Sequence, residues 1–122
     1  MKIAIALEED KIDSKVDRRV GRAPYFLIID SETNEYEIIE NEAKDEVTGA
    51  GLKVIKNLVA LDIDELIAGE VGPKAQVLIE EFELPVYKLG ELEKVEDVLK
   101  GYREKTLEKF DFKNKPKGLV MA

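Results

Sequence analysis

Three of the chain's four arginines, Arg18, Arg19 and Arg22, fall within five consecutive positions. A guanidinium is a planar fork whose paired N–H groups fit a carboxylate or an oxyanion, so the cluster points to anion binding. Asp13 and Asp17 lie in the same stretch, and a solvated loop that neutralises itself is the competing reading. Two glycine turns add to the pattern: Thr48-Gly49-Ala50-Gly51 and Gly69-Glu70-Val71-Gly72-Pro73-Lys74 each precede a run with helical spacing. The first N–H groups of a helix have no partner within it and carry partial positive charge, which favours anions. Glycines that merely make tight turns would explain the same residues. Nucleotide binding is not supported, because Gly49-Ala50-Gly51 lacks the third glycine of a dinucleotide loop, and Gly72-Pro73-Lys74 lacks the spacing and hydroxyl of a phosphate loop. The candidate binding residues are therefore Arg18, Arg19, Arg22, Thr48, Gly49, Gly51, Gly72 and Lys74.

The carboxylates are less specific. Glu8-Glu9-Asp10, Asp13 and Asp17 could face a hard cation, but they lack the alternating ligands and glycine of a calcium loop, so solvated surface charge is expected and no metal ligand is assigned. The chain has no cysteine and no histidine. That removes thiolate and imidazole ligands, disulfides, and the usual nucleophile–base pairs. A net charge of −8 repels phosphate backbones, which argues against nucleic acid as a partner. The apolar start, Ile3-Ala4-Ile5-Ala6-Leu7, is only a strand long and runs into acidic residues. It resembles neither a signal peptide nor a membrane span, and a cytoplasmic location with no membrane contact is expected. Charged residues make up 38% of the chain and Met and Cys are scarce, a balance that suits a thermophilic source.

The elements that must position these residues follow from periodicity. Residues 3–7 form a short apolar run suited to a strand buried on both faces. Tyr25-Phe26-Leu27-Ile28-Ile29-Asp30 and Glu35-Tyr36-Glu37-Ile38-Ile39-Glu40 flank the polar turn Ser31-Glu32-Thr33-Asn34, which predicts an antiparallel hairpin. Leu52, Ile55, Leu58 and Val59 predict a helix, with Thr48-Gly49-Ala50-Gly51 as its capping turn. A strand over residues 65–69, a helix entered through Pro73, a brief edge strand over residues 85–88 and a last helix carrying Val95, Val98, Leu99 and Tyr102 complete the chain. Gly101 is either a weak interior point of that helix or a break before another. The order βββαβαβα makes the helix-linked strands parallel. Ligands of such sheets bind beyond the carboxyl ends of parallel strands. The expected organisation is one domain over residues 1–110 with a loose, Lys-rich tail over 111–122.

Val20-Gly21-Arg22-Ala23-Pro24-Tyr25-Phe26-Leu27-Ile28-Ile29-Asp30, then Asn41, Thr48-Gly49-Ala50-Gly51, Ile67-Ala68-Gly69-Glu70-Val71-Gly72-Pro73-Lys74-Ala75 and Leu84-Pro85-Val86-Tyr87 resemble, in order and spacing, the dinitrogenase iron-molybdenum cofactor family that contains NifX and the C-terminal domain of NifB. The resemblance covers nearly the whole chain. It implies a three-layer α/β/α fold with a ribonuclease-H-like motif and a five-strand mixed sheet in order 3-2-1-4-5, strand 2 antiparallel. It also implies an accessory protein, not an enzyme, that binds or carries iron-molybdenum cofactor or an iron-sulfur precursor, with cofactor-assembly or iron-sulfur proteins as partners. The ligand is implied to lie near Arg22, Gly49, Gly51, Gly72 and Lys74. Without Cys or His, any cluster would be held by anion-type contacts or by a partner. The alternative function is a protein-interaction module with no cluster ligation of its own, its arginines docking an acidic surface. A two-metal nuclease would need carboxylates inside the strands, where strand one offers Ile3, Ala4, Ile5 and Ala6.

Overall fold

The first strand, β1 (Lys2–Leu7), is buried at every residue after Lys2, as its unbroken apolar run requires. It earns that burial by pairing on both sides, antiparallel with β2 (Tyr25–Asp30) and parallel with β4 (Glu65–Ala68). The structure, a computed structural model, describes residues 1–112. Residues 113–122, most of the tail expected to be loose, lie outside the described residues. Beyond β2 lies β3 (Tyr36–Glu40), and beyond β4 lies β5 (Val86–Lys88), so the sheet order is β3-β2-β1-β4-β5. Only β2 runs antiparallel to the rest. This is the mixed sheet that the sequence and the family resemblance both imply.

Three helices complete the layers: α1 (Ala50–Ala60), α2 (Pro73–Phe82) and α3 (Val95–Arg103). Side chains alternate across a strand, and β1 divides accordingly. Ala4 and Ala6 join Phe26, Ile28, Leu66 and Ala68 under α1 and α2, where small residues leave room for two helices. Ile3, Ile5 and Leu7 join Leu27, Ile29 and Ile67 on the other face, which α3 alone covers through Val95, Val98 and Leu99.

The turn before α1 differs from expectation, and of the two alternatives for Gly101 the structure has the interior one. Helix α1 begins at Ala50, so Gly51 is a helical residue and not part of a preceding turn. Gly49 occupies the cap position in the left-handed region at φ 72°, which glycine adopts without strain, and Thr48 makes no capping bond. Gly101 lies inside α3, where the absence of a side chain admits the returning chain: a Cβ there would stand 2.9 Å from a Leu107 methyl carbon.

The two sheet edges are unlike. Along β5, the Lys88 N–H donates to the Glu108 carbonyl at 2.7 Å and the Phe110 N–H to the Val86 carbonyl at 2.8 Å, so residues 108–110 cover that edge. No such segment lies along β3 among the described residues. Among those residues, too, no helix is long and apolar enough to cross a membrane.

Candidate anion-binding crevice

The long loop over residues 8–22 is stitched into the fold. Leu7 bridges Val16, Lys15 bridges Lys94, and Arg19 bridges Glu70 just past the end of β4. The Glu70 N–H also donates to the Arg18 carbonyl. This contact requires Gly69, because a Cβ there would stand 2.8 Å from the Arg18 Cβ and 3.0 Å from its carbonyl oxygen. Gly21 makes a second such approach, to the start of α1, where an added Cβ would meet the Gly51 nitrogen at 2.8 Å. Glycine is needed at both places because backbone lies against the loop and cannot rotate aside.

Two buried polar side chains fix the arginines. Asp17, only 4% exposed, accepts from the Arg19 backbone N–H at 2.9 Å, from Nε at 3.1 Å and from Nη2 at 2.8 Å. Burial alone would raise the Asp17 carboxyl, but the hydrogen bonds and charge of Arg19 outweigh it and hold the group below the usual carboxylate range. The Arg19 side chain stays 58% exposed, and Nη1 takes no part in these bonds. Asn41, equally buried, donates to the carbonyls of Gly21 at 3.1 Å and Ala23 at 2.8 Å, and accepts from the Ala43 N–H at 3.0 Å. It pins the turn that carries Arg22. The Arg22 Nη1 then donates to the carbonyls of Lys44 and Glu46, and Glu46 pairs with Lys53 at 2.7 Å.

Between loop and helices lies an open crevice of about 700 Å³. It is lined by Arg19, Arg22, Gly49, Gly51, Gly72 and Lys74, six of the eight residues singled out in the sequence, together with Gly21 and Glu70. No side chain caps α1 or α2, so both helix starts offer backbone N–H groups there. The α2 start offers fewer, since Pro73 at its first position has none. An added Cβ on Gly51 would lie 3.4 Å from the Ala75 Cβ, which places the two helix starts side by side. Arg19, Arg22 and Lys74 outnumber the carboxylates of Glu70 and of Asp17, the partner of Arg19, so the site is positive in an acidic chain.

The other two candidates lie elsewhere. Thr48 is exposed and outside the lining. The Arg18 guanidinium reaches away to the Gly90 carbonyl. Sequence reasoning left Glu70 and Gly21 out of the candidate set and read Asp17 only as a charge neutralising the loop; the structure pairs it with Arg19.

The arrangement suits an anion held by hydrogen bonds and charge. It does not suit direct ligation of a metal cluster: the chain has no Cys or His, and among the described residues no three carboxylates gather to hold a cation.

Comparison with known proteins agrees with this architecture. A family model described as dinitrogenase iron-molybdenum cofactor matches residues 1–105. An uncharacterized protein of Methanocaldococcus jannaschii is 28% identical over 114 residues, covering 91% of this chain and 92% of its own length. The apo form of the orange protein from Desulfovibrio gigas superposes with a TM-score of 0.84 at 28% identity, over 93% of this chain and 96% of that one. A putative NifB protein from Thermotoga gives a TM-score of 0.75 at 33% identity, over 88% and 90% of the two chains.

Proposed function

This chain belongs to the dinitrogenase iron-molybdenum cofactor family, and we propose on that premise that it is a non-catalytic carrier of an anionic ligand. The ligand class is an oxoanion or an anionic metal cluster of the iron-molybdenum or iron-sulfur kind. Its site is the crevice lined by Arg19, Arg22, Gly49, Gly51, Gly72 and Lys74. The observation that carries the reading is the meeting of three cationic side chains with two helix starts that no side chain caps. Arg19 and Arg22 are held by Asp17 and by main-chain carbonyls before any ligand arrives, so less side-chain freedom is lost on binding. A ligand gripped this way stays intact and is released by competition or by salt, with no thiolate to displace.

Titration with molybdate by calorimetry at low ionic strength tests the reading. Saturable binding is expected, and Arg19→Ala combined with Arg22→Ala should weaken it about 10- to 100-fold, the loss of one to two charge-assisted contacts. Parallel anaerobic reconstitution with iron, sulfide and molybdate, followed by metal analysis, separates oxoanion from cluster. Absence of binding in both arms would defeat the proposal.

A further inference from the structure

The hydrogen-bond parity of β3 decides what its free edge can accept. The Asp30 N–H donates to the Glu35 carbonyl and the Asn41 N–H to the Pro24 carbonyl, both at 2.9 Å. Residues 35 and 41 therefore turn their backbone groups toward β2, and with the register Ile28↔Glu37 and Phe26↔Ile39 so do Glu37 and Ile39. By alternation, the N–H and C=O groups of Tyr36, Ile38 and Glu40 face outward along the edge. The opposite edge, at β5, is covered by residues 108–110.

Side chains alternate with the same period. Tyr36 and Ile38 stand on the α3 face, across from Ile29 and Leu27. Tyr36 is 51% exposed and forms the outer lip of a groove of about 720 Å³ floored by Ile29, Val95 and Leu99. Here a single short helix covers the face. On the other face stand Glu35 and Glu37, both exposed and in no ion pair among the described residues; Glu40, at the end of the strand on the α3 face, has Lys44 at 3.7 Å.

From this pattern we infer that β3 is a docking edge for an extended segment of a partner protein, apolar on the side facing α3 and basic on the side facing Glu35 and Glu37. Backbone bonds to Tyr36, Ile38 and Glu40 supply the pairing, and alternate side chains read the two faces. Charge chooses the occupant. A second copy pairing edge to edge would bring two sets of glutamates together in a protein of net charge −8, whereas lysine or arginine at alternate positions neutralises them. The edge is distinct from the anion crevice, and neither reading depends on the other.

The test is amide exchange by NMR on the full chain, with an acetylated heptapeptide alternating lysine and valine. The amides of Tyr36, Ile38 and Glu40 should slow at least tenfold at saturation, and a peptide with glutamate in place of lysine should leave them unchanged. Ile38→Pro removes an outward N–H, a change edge strands tolerate, and should abolish that protection. Glu35→Lys combined with Glu37→Lys should reverse the preference between the two peptides, which a merely sticky surface would not do. The inference is overturned if the lysine peptide protects none of the three amides, or if both peptides protect them equally. It is likewise overturned if protection appears without peptide, whether in dilute protein or growing with protein concentration.

Discussion

The crevice and the groove beside α3 enclose nearly the same space, about 700 and 720 Å³, yet they are built from opposite materials. The crevice is made of backbone: glycines at close approach, two helix starts, and arginines clamped by Asp17 and by carbonyl groups. The groove is made of side chains, with Ile29, Val95 and Leu99 as its floor and Asp13, Glu93 and Glu96 offsetting Lys15, Lys94 and Arg103 around its rim. Size therefore says nothing about which hollow takes an anion. Donor density and charge imbalance do.

The contrast can be broken most severely from the groove side. Leu99→Ala removes a side chain 8% exposed and should cost about 3 kcal/mol in denaturant unfolding, while molybdate affinity of the folded fraction stays the same. A fall in affinity would mean that the two hollows are coupled through the sheet. Gly21→Ala attacks the crevice through its backbone; it should cost about 2 kcal/mol and lower anion affinity, because the loop must retreat from α1. Unchanged stability would show that the loop yields easily.

Asp17→Asn should cost about 1.5 kcal/mol near neutral pH, and its pH dependence has a definite sign. The folded Asp17 carboxyl lies below its unfolded value, so its contribution is complete above the usual carboxylate range and disappears as pH falls through the folded value. The gap between the two proteins should close in acid, and a gap that persists would assign the effect to packing. Smallest of all, Thr48→Ala and Arg18→Ala should change molybdate affinity by less than about twofold, as expected of side chains that make no crevice contact.

These two residues also show where sequence reading stops. The hairpin and the parallel run of the helix-linked strands were legible in the residues, and the sheet order 3-2-1-4-5 came with the family resemblance. Arg19 and Arg22 stood out because arginine is rare here. Arg18 shared that signal, but the chain bends there and its guanidinium reaches Gly90 instead. Thr48 looked like a cap, yet Gly49 takes that place by adopting a backbone shape that glycine allows. The roles of Asn41 and Gly21 are tertiary: each is defined by a partner that is brought near only when the sheet, the loop and the 41–46 turn have come together.

The unequal borders of the sheet carry a last consequence. With residues 108–110 laid along β5, β3 is the open edge of the sheet among the described residues. A second copy joining through β3 would present only its covered β5 border to the next copy, so such growth would stop at a pair. Open-ended stacking of native sheets edge to edge is disfavoured by this asymmetry.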